Sequence, residues 1–96
     1  MDRTPSGVQE VGLCTHRDEV TVTSTAQEIT LTDKKNSIEI LPALDTNVEI
    51  LYGGAGVTTA NGVPLGAGKI WTNCKAGFSV HLVVASNAKV RIAEYE

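Results

Sequence analysis

Aromatic residues are scarce in this 96-residue chain: one Trp, two Tyr and one Phe, 4% of the total. A core with so few large side chains is limited in size, which makes association between copies a plausible source of added stability. No apolar run approaches the roughly 20 residues that cross a bilayer as a helix, which argues against a membrane partner. Charge of one sign is also missing: eleven acidic and eight basic side chains leave a net charge of -3, and the longest block of like charge is the pair Lys34 and Lys35. Electrostatic capture of nucleic acid or of an anionic membrane surface is therefore not expected. The opening residues 1–7 lack the apolar stretch of a secretory signal, so synthesis in the cytoplasm is expected. There, Cys14 and Cys74 are expected as reduced thiols; a bridge between them is geometrically possible, and no spacing rule decides it.

What the chain does contain is alternation. With 42% hydrophobic and 20% charged residues it has a globular composition, and its length suits one domain. Helical periodicity is absent, while apolar residues recur at every second position in short runs. Ile29 and Leu31 alternate with Glu28, Thr30 and Thr32; Ile38 and Ile40 with Glu39; and Val48, Ile50 and Tyr52 with Glu49. Pro42 ends one strand and residues 45–47, Asp-Thr-Asn, make the next turn. Residues 78–84 and 89–93 read as a hairpin joined by Ser86-Asn87-Ala88, and residues 20–23 and 69–72 add two further strands. The result is an all-β fold, a small antiparallel β-sandwich or barrel of about seven strands. Residues 1–18 have no clean period and read as an N-terminal arm, with a strand near residues 9–14; residues 19–96 form the β domain. Residues 53–68 carry six of the nine glycines and read as a long ordered loop or a pair of turns, with Asn61-Gly62 suited to positive φ.

No constellation here points to catalysis. Gly53-Gly54-Ala55-Gly56 could cradle an anion through its backbone, but no helix pattern follows it, and Gly68-Lys69 runs into Ile70 rather than Ser or Thr. Cys14 and His16, followed by Asp18 and Glu19, suggest a metal site only weakly, because Cys74 and His81 do not complete a paired ligand spacing. His81 sits on the strand face opposite Val80 and Leu82 and reads as a surface or interface side chain. Neither catalytic residue, cofactor nor metal is expected.

Strict alternation leaves Leu41, Leu51, Trp71 and Val83 on the outer faces, beside Glu39, Glu49, Lys69 and His81. Either the arm or the glycine-rich loop caps them, or register shifts at strand ends, or they form a subunit interface.

From Tyr52 the chain runs Tyr-Gly-Gly-Ala-Gly-Val-Thr-Thr-Ala-Asn-Gly-Val-Pro-Leu-Gly-Ala-Gly to Gly68. With Val20-Thr21-Val22-Thr23 before it, the strand from Asn47, and Val90-Arg91-Ile92-Ala93-Glu94 after it, this segment resembles small β-sandwich virion proteins of tailed bacteriophages. The resemblance covers residues 20–96. It implies a non-enzymatic structural component: a capsid decoration (cement) protein, a head fibre or a tail accessory. The expected decoration protein sits on the virion's capsid surface, binds the major capsid protein and associates with itself, a trimer being favoured. Val8, Val11 and Leu13 of the arm are then the expected capsid contacts. Deletion of residues 1–18 is expected to abolish capsid binding and leave the β domain folded. The alternative is a tail or fibre module whose loops recognise a host-surface glycan or protein; its mark is aromatic and polar side chains gathered at one loop end, and of the available Trp71, Tyr52 and Tyr95 none reads as lying at a loop tip.

Overall fold

The computed structural model describes residues 14–44 and 46–96. Among these residues the regular structure is all β. One sheet of five strands contains β1 (Cys14–His16), β2 (Val20–Val22), β4 (Ser37–Pro42), β7 (Lys69–Trp71) and β9 (Ala88–Tyr95). A second sheet of four strands contains β3 (Gln27–Thr30), β5 (Ile50–Gly53), β6 (Val63–Pro64) and β8 (Ser79–Val84). Every pairing is antiparallel. In the larger sheet β9 lies between β4 and the β1/β2 edge, with β7 outside β4; the smaller sheet runs β3-β8-β5-β6.

The chain passes between sheets at both sides of this sandwich. The link from β2 to β3 joins one edge of each sheet, and the link from β6 to β7 joins the opposite edges. Edge strands left open are templates for unwanted pairing, and here they are kept short and tied together. Pro64 falls on β6, an edge strand, where a missing N–H costs no ladder bond.

The core is the product of period-two alternation. Ile38 and Ile40 of β4, Val90 and Ile92 of β9, and Leu82 and Val84 of β8 are all at most 2% exposed. Each such side chain contributes roughly 1.5–3 kcal/mol of burial free energy. Val20, Val48, Tyr52, Trp71, Phe78 and Cys74 pack around the rim of that core.

The expected boundary of the arm shifts. β1 lies within residues 1–18 yet pairs with β9, Cys14 opposite Tyr95 and His16 opposite Ala93. β2 continues along the same strand with Val20 opposite Val90. Four residue steps from His16 to Val20 therefore face three from Ala93 to Val90, a one-residue bulge. The extra residue lets both Arg17, whose N–H donates to the Ile92 carbonyl at 3.0 Å, and Val20 lie on the core side. Val8, Val11 and Leu13, and residues 9–13 of the strand expected near 9–14, lie outside the described residues.

Candidate docking face and aromatic corner

The outer faces of the two sheets are treated differently by the chain. On the smaller sheet, Leu51 of β5 and Val83 of β8 stand opposite each other. Val57 from the glycine-rich loop folds onto both, with Ala26 beside them. Two consecutive turns bring it there: Val57 N–H donates to the Gly54 carbonyl at 3.0 Å, and Gly62 N–H to the Thr58 carbonyl at 2.9 Å. The Asn61 side-chain oxygen accepts the Thr58 N–H at 2.7 Å and locks the second turn. Leu51 is 8% and Val83 1% exposed, so the chain's own loop covers these two expected interface residues and they offer no surface to another subunit. The glycine run thus serves as a cover over apolar residues, and no helix follows it.

The larger sheet has no such cover among the described residues. Its register places Ile70, Glu39, Ala93 and His16 in one row across four strands, with Leu41 and Arg91 in the next row and Ser37, Tyr95 and Cys14 in the one before. Leu41, Ala93, His16, Glu39, Arg91, Tyr95 and Cys14 line a shallow groove of about 230 Å³ on this face. Its floor is apolar and its rim carries both signs of charge. Leu41, expected at an interface, remains half-exposed here, and Gly68 lies against its side chain with φ +136°.

Tyr95 is held in the groove by donating its hydroxyl to Glu39 Oε1 at 3.1 Å. Burial, followed by the Glu39 carboxylate and then by the Cys14 thiol, pushes its phenol up to about 12 from 10.0. The neutral phenol's contribution to stability is therefore complete below pH 10 and is lost as pH rises through about 12. In a Tyr52→Phe protein, the phenolate absorbance of Tyr95 is expected to titrate near pH 12, and Glu39→Gln is expected to move it down. An unshifted midpoint near 10.0 would show that the Glu39 contact is not held in solution.

At the core end of the larger sheet, Glu94 is 1% exposed. It accepts the Thr32 N–H at 2.6 Å and the Thr32 hydroxyl at 2.7 Å. Arg17 approaches it at 3.5 Å while donating to the Thr30 carbonyl at 3.0 Å. One carboxylate thus joins β9, the bulge after β1 and the segment after β3, tying the two sheets together.

Trp71 departs from its expected position. In β7 it lies opposite Ile38, on the core side, while Ile70 faces outward opposite Glu39 and is 48% exposed. The Trp71 ring meets Tyr52 edge-on, centroids 5.3 Å apart at 89°, and Phe78 at 6.1 Å. Such pairs favour this geometry, and the cluster sets the strand's phase. Lys69 Nζ stands 5.7 Å from the Trp71 centroid and 6.0 Å from that of Tyr52. These aromatic side chains are half-exposed, at the side of the sandwich where β6 and β7 form the edges.

Among the described residues no three His, Cys, Asp or Glu side chains gather to hold a metal ion. Cys14 is exposed and Cys74 half-buried, both as free thiols, and burial pushes the Cys74 thiol up. His81 lies on the outer face of the smaller sheet, opposite Glu28 on one side and Gly53 on the other.

The fold and its surfaces define an antiparallel β-sandwich in which, among the described residues, a loop covers the outer face of the smaller sheet and none covers that of the larger. Comparison with protein-family models, with curated proteins and with solved structures finds no match to this chain.

Proposed function

We propose that this chain is a non-enzymatic structural protein of a tailed bacteriophage, a decoration or cement protein that binds the outer capsid surface and bridges capsid subunits. The observation that carries the reading is the asymmetry of the two outer faces. The chain folds a loop over Leu51 and Val83 but leaves Leu41 half-exposed, with Glu39 and Arg91 around it, on a face that no loop covers among the described residues. An open face with an apolar centre and a charged rim suits attachment to a protein surface. β1 forms one edge of that face. The resemblance of residues 20–96 to phage virion sandwiches supports the same reading. Copies grouped as trimers about a local symmetry axis would stabilise the shell by linkage, since a ligand bound only to the intact lattice lowers its free energy against rupture.

The test is co-sedimentation with expanded heads of the phage that encodes the chain, beside light scattering of the free protein. The wild type is expected to pellet with the heads and to show the mass of a trimer. Leu41→Asp is expected to weaken the association at least about tenfold, as loss of a central apolar contact does. Deletion of residues 1–13 is expected to abolish it while leaving the fold intact. Deletion through residue 18 is no longer a clean test, because it removes β1 and Arg17. Wild-type protein that stays in the supernatant would overturn the proposal, and a strict monomer would remove the trimer from it.

A further inference from the structure

The side of the sandwich at β6 and β7 carries a second surface, distinct from the docking face. Tyr52 and Trp71 form a half-exposed aromatic corner, with Lys69 Nζ within 6.0 Å of both ring centroids. Tyr52 also borders a shallow open depression formed with Gly53, Gly54, Gly56, Val57, Asn61 and Val63, which Trp71 and Lys69 adjoin only through Tyr52. Val63 lies opposite Tyr52 in the β5–β6 ladder and is 49% exposed, extending the apolar surface outward.

The polar groups at this corner share one character. Lys69 forms no ion pair among the described residues, whose salt bridges are Arg17 with Glu94 and Lys35 with Glu96. The Asn61 oxygen is already engaged by the Thr58 N–H, which leaves its amide NH2 to donate. Aromatic faces, an unneutralised ammonium and a donating carboxamide match a ring with apolar C–H faces, hydroxyl acceptors and a negative charge. We infer that this corner is a binding site for an acidic saccharide: the pyranose C–H face packs on Tyr52 and Trp71, its carboxylate meets Lys69, and Asn61 donates to a ring oxygen or hydroxyl. This inference does not rest on the capsid reading.

Trp71 is the single tryptophan of the chain and reports directly on the site. Its fluorescence is measured while the full-length protein is titrated with sialyllactose, with lactose and sodium acetate as controls. Sialyllactose is expected to give a saturable change with a dissociation constant on the order of 1 mM. Lactose is expected to bind at least about tenfold more weakly, and acetate not to saturate. Lys69→Gln, a change at an exposed position, is expected to bring sialyllactose down to the level of lactose, and Lys69→Arg to retain binding. No saturable response to sialyllactose, an equal response to acetate, or a response unchanged in Lys69→Gln would each overturn the inference. So would saturation by an acidic aromatic peptide in place of the sugar, which would make the corner a protein contact.

Discussion

Replacement of Glu94 by alanine is expected to lower the unfolding free energy by about 3 kcal/mol. The carboxylate is 1% exposed and accepts two hydrogen bonds from Thr32, at 2.6 and 2.7 Å, while Arg17 lies 3.5 Å away. Truncation leaves the Thr32 N–H and the Arg17 guanidinium without their acceptor and opens a cavity between the sheets. The expected loss stays at the lower end for a broken buried pair because the Arg17 side chain is 31% exposed and regains water. Glu94→Gln keeps shape and one acceptor and is expected to lose only about 1 kcal/mol. Once Glu94 is gone, Arg17→Ala is expected to cost little more, a non-additivity that marks the two as partners. Urea unfolding of the single and double variants measures all of this. A loss below about 1 kcal/mol for Glu94→Ala would show that the carboxylate does not join the sheets.

The burial of Glu94 is implicit in the alternation of its strand. Val90, Ile92 and Glu94 share one parity of β9, so a strand that buries the first two must bury the third. A charge at a buried register position signals a satisfied ionic contact. Its partners are not legible in the same way, since Thr32 lies 62 residues away and the contact depends on how the sheets stack. Alternation in the longer strands correctly separates Ile38 and Ile40 from Glu39, and Val80 and Leu82 from His81. It fails for β7, where three residues are too few to fix a phase and the Tyr52–Trp71–Phe78 cluster draws the indole inward. The short β6 within the glycine-rich segment is hidden for the same reason, since Val63 and Pro64 show no period of their own. Asn61-Gly62 suggests positive φ, yet the described residues with positive φ are Lys34, Gly66, Gly68, Asn73 and Gly77. Gly62 is needed for space, a tertiary requirement that turn chemistry does not reveal.

That requirement makes Gly62→Ala the other substitution expected to have a large effect, at about 2–3 kcal/mol. A Cβ at this position would lie 2.6 Å from Leu51 Cβ and 3.1 Å from the Thr58 carbonyl oxygen. Neither atom can swing aside: one is fixed to β5, and the other accepts the Gly62 N–H that closes the turn. The loop must therefore lift from the sheet, weakening the ladder that pairs Leu51 with Pro64 and Tyr52 with Val63. Lifting also exposes Val57, Leu51 and Val83, which cover one another on the outer face. Gly54→Ala and Gly56→Ala supply the control, because a Cβ at either site meets nothing within 4 Å. Both are expected to stay within about 0.5 kcal/mol of wild type. For a domain of this size the Gly62 variant's melting temperature should fall by roughly 10–20 °C, and its folded state should bind a hydrophobic dye. If Gly62→Ala melts with the Gly54 and Gly56 variants, the loop does not seat on Leu51 in solution, and the smaller sheet is as open as the larger. The asymmetry of faces would then be gone, and with it the reason for assigning attachment to Leu41 and Arg91 rather than to Leu51 and Val83.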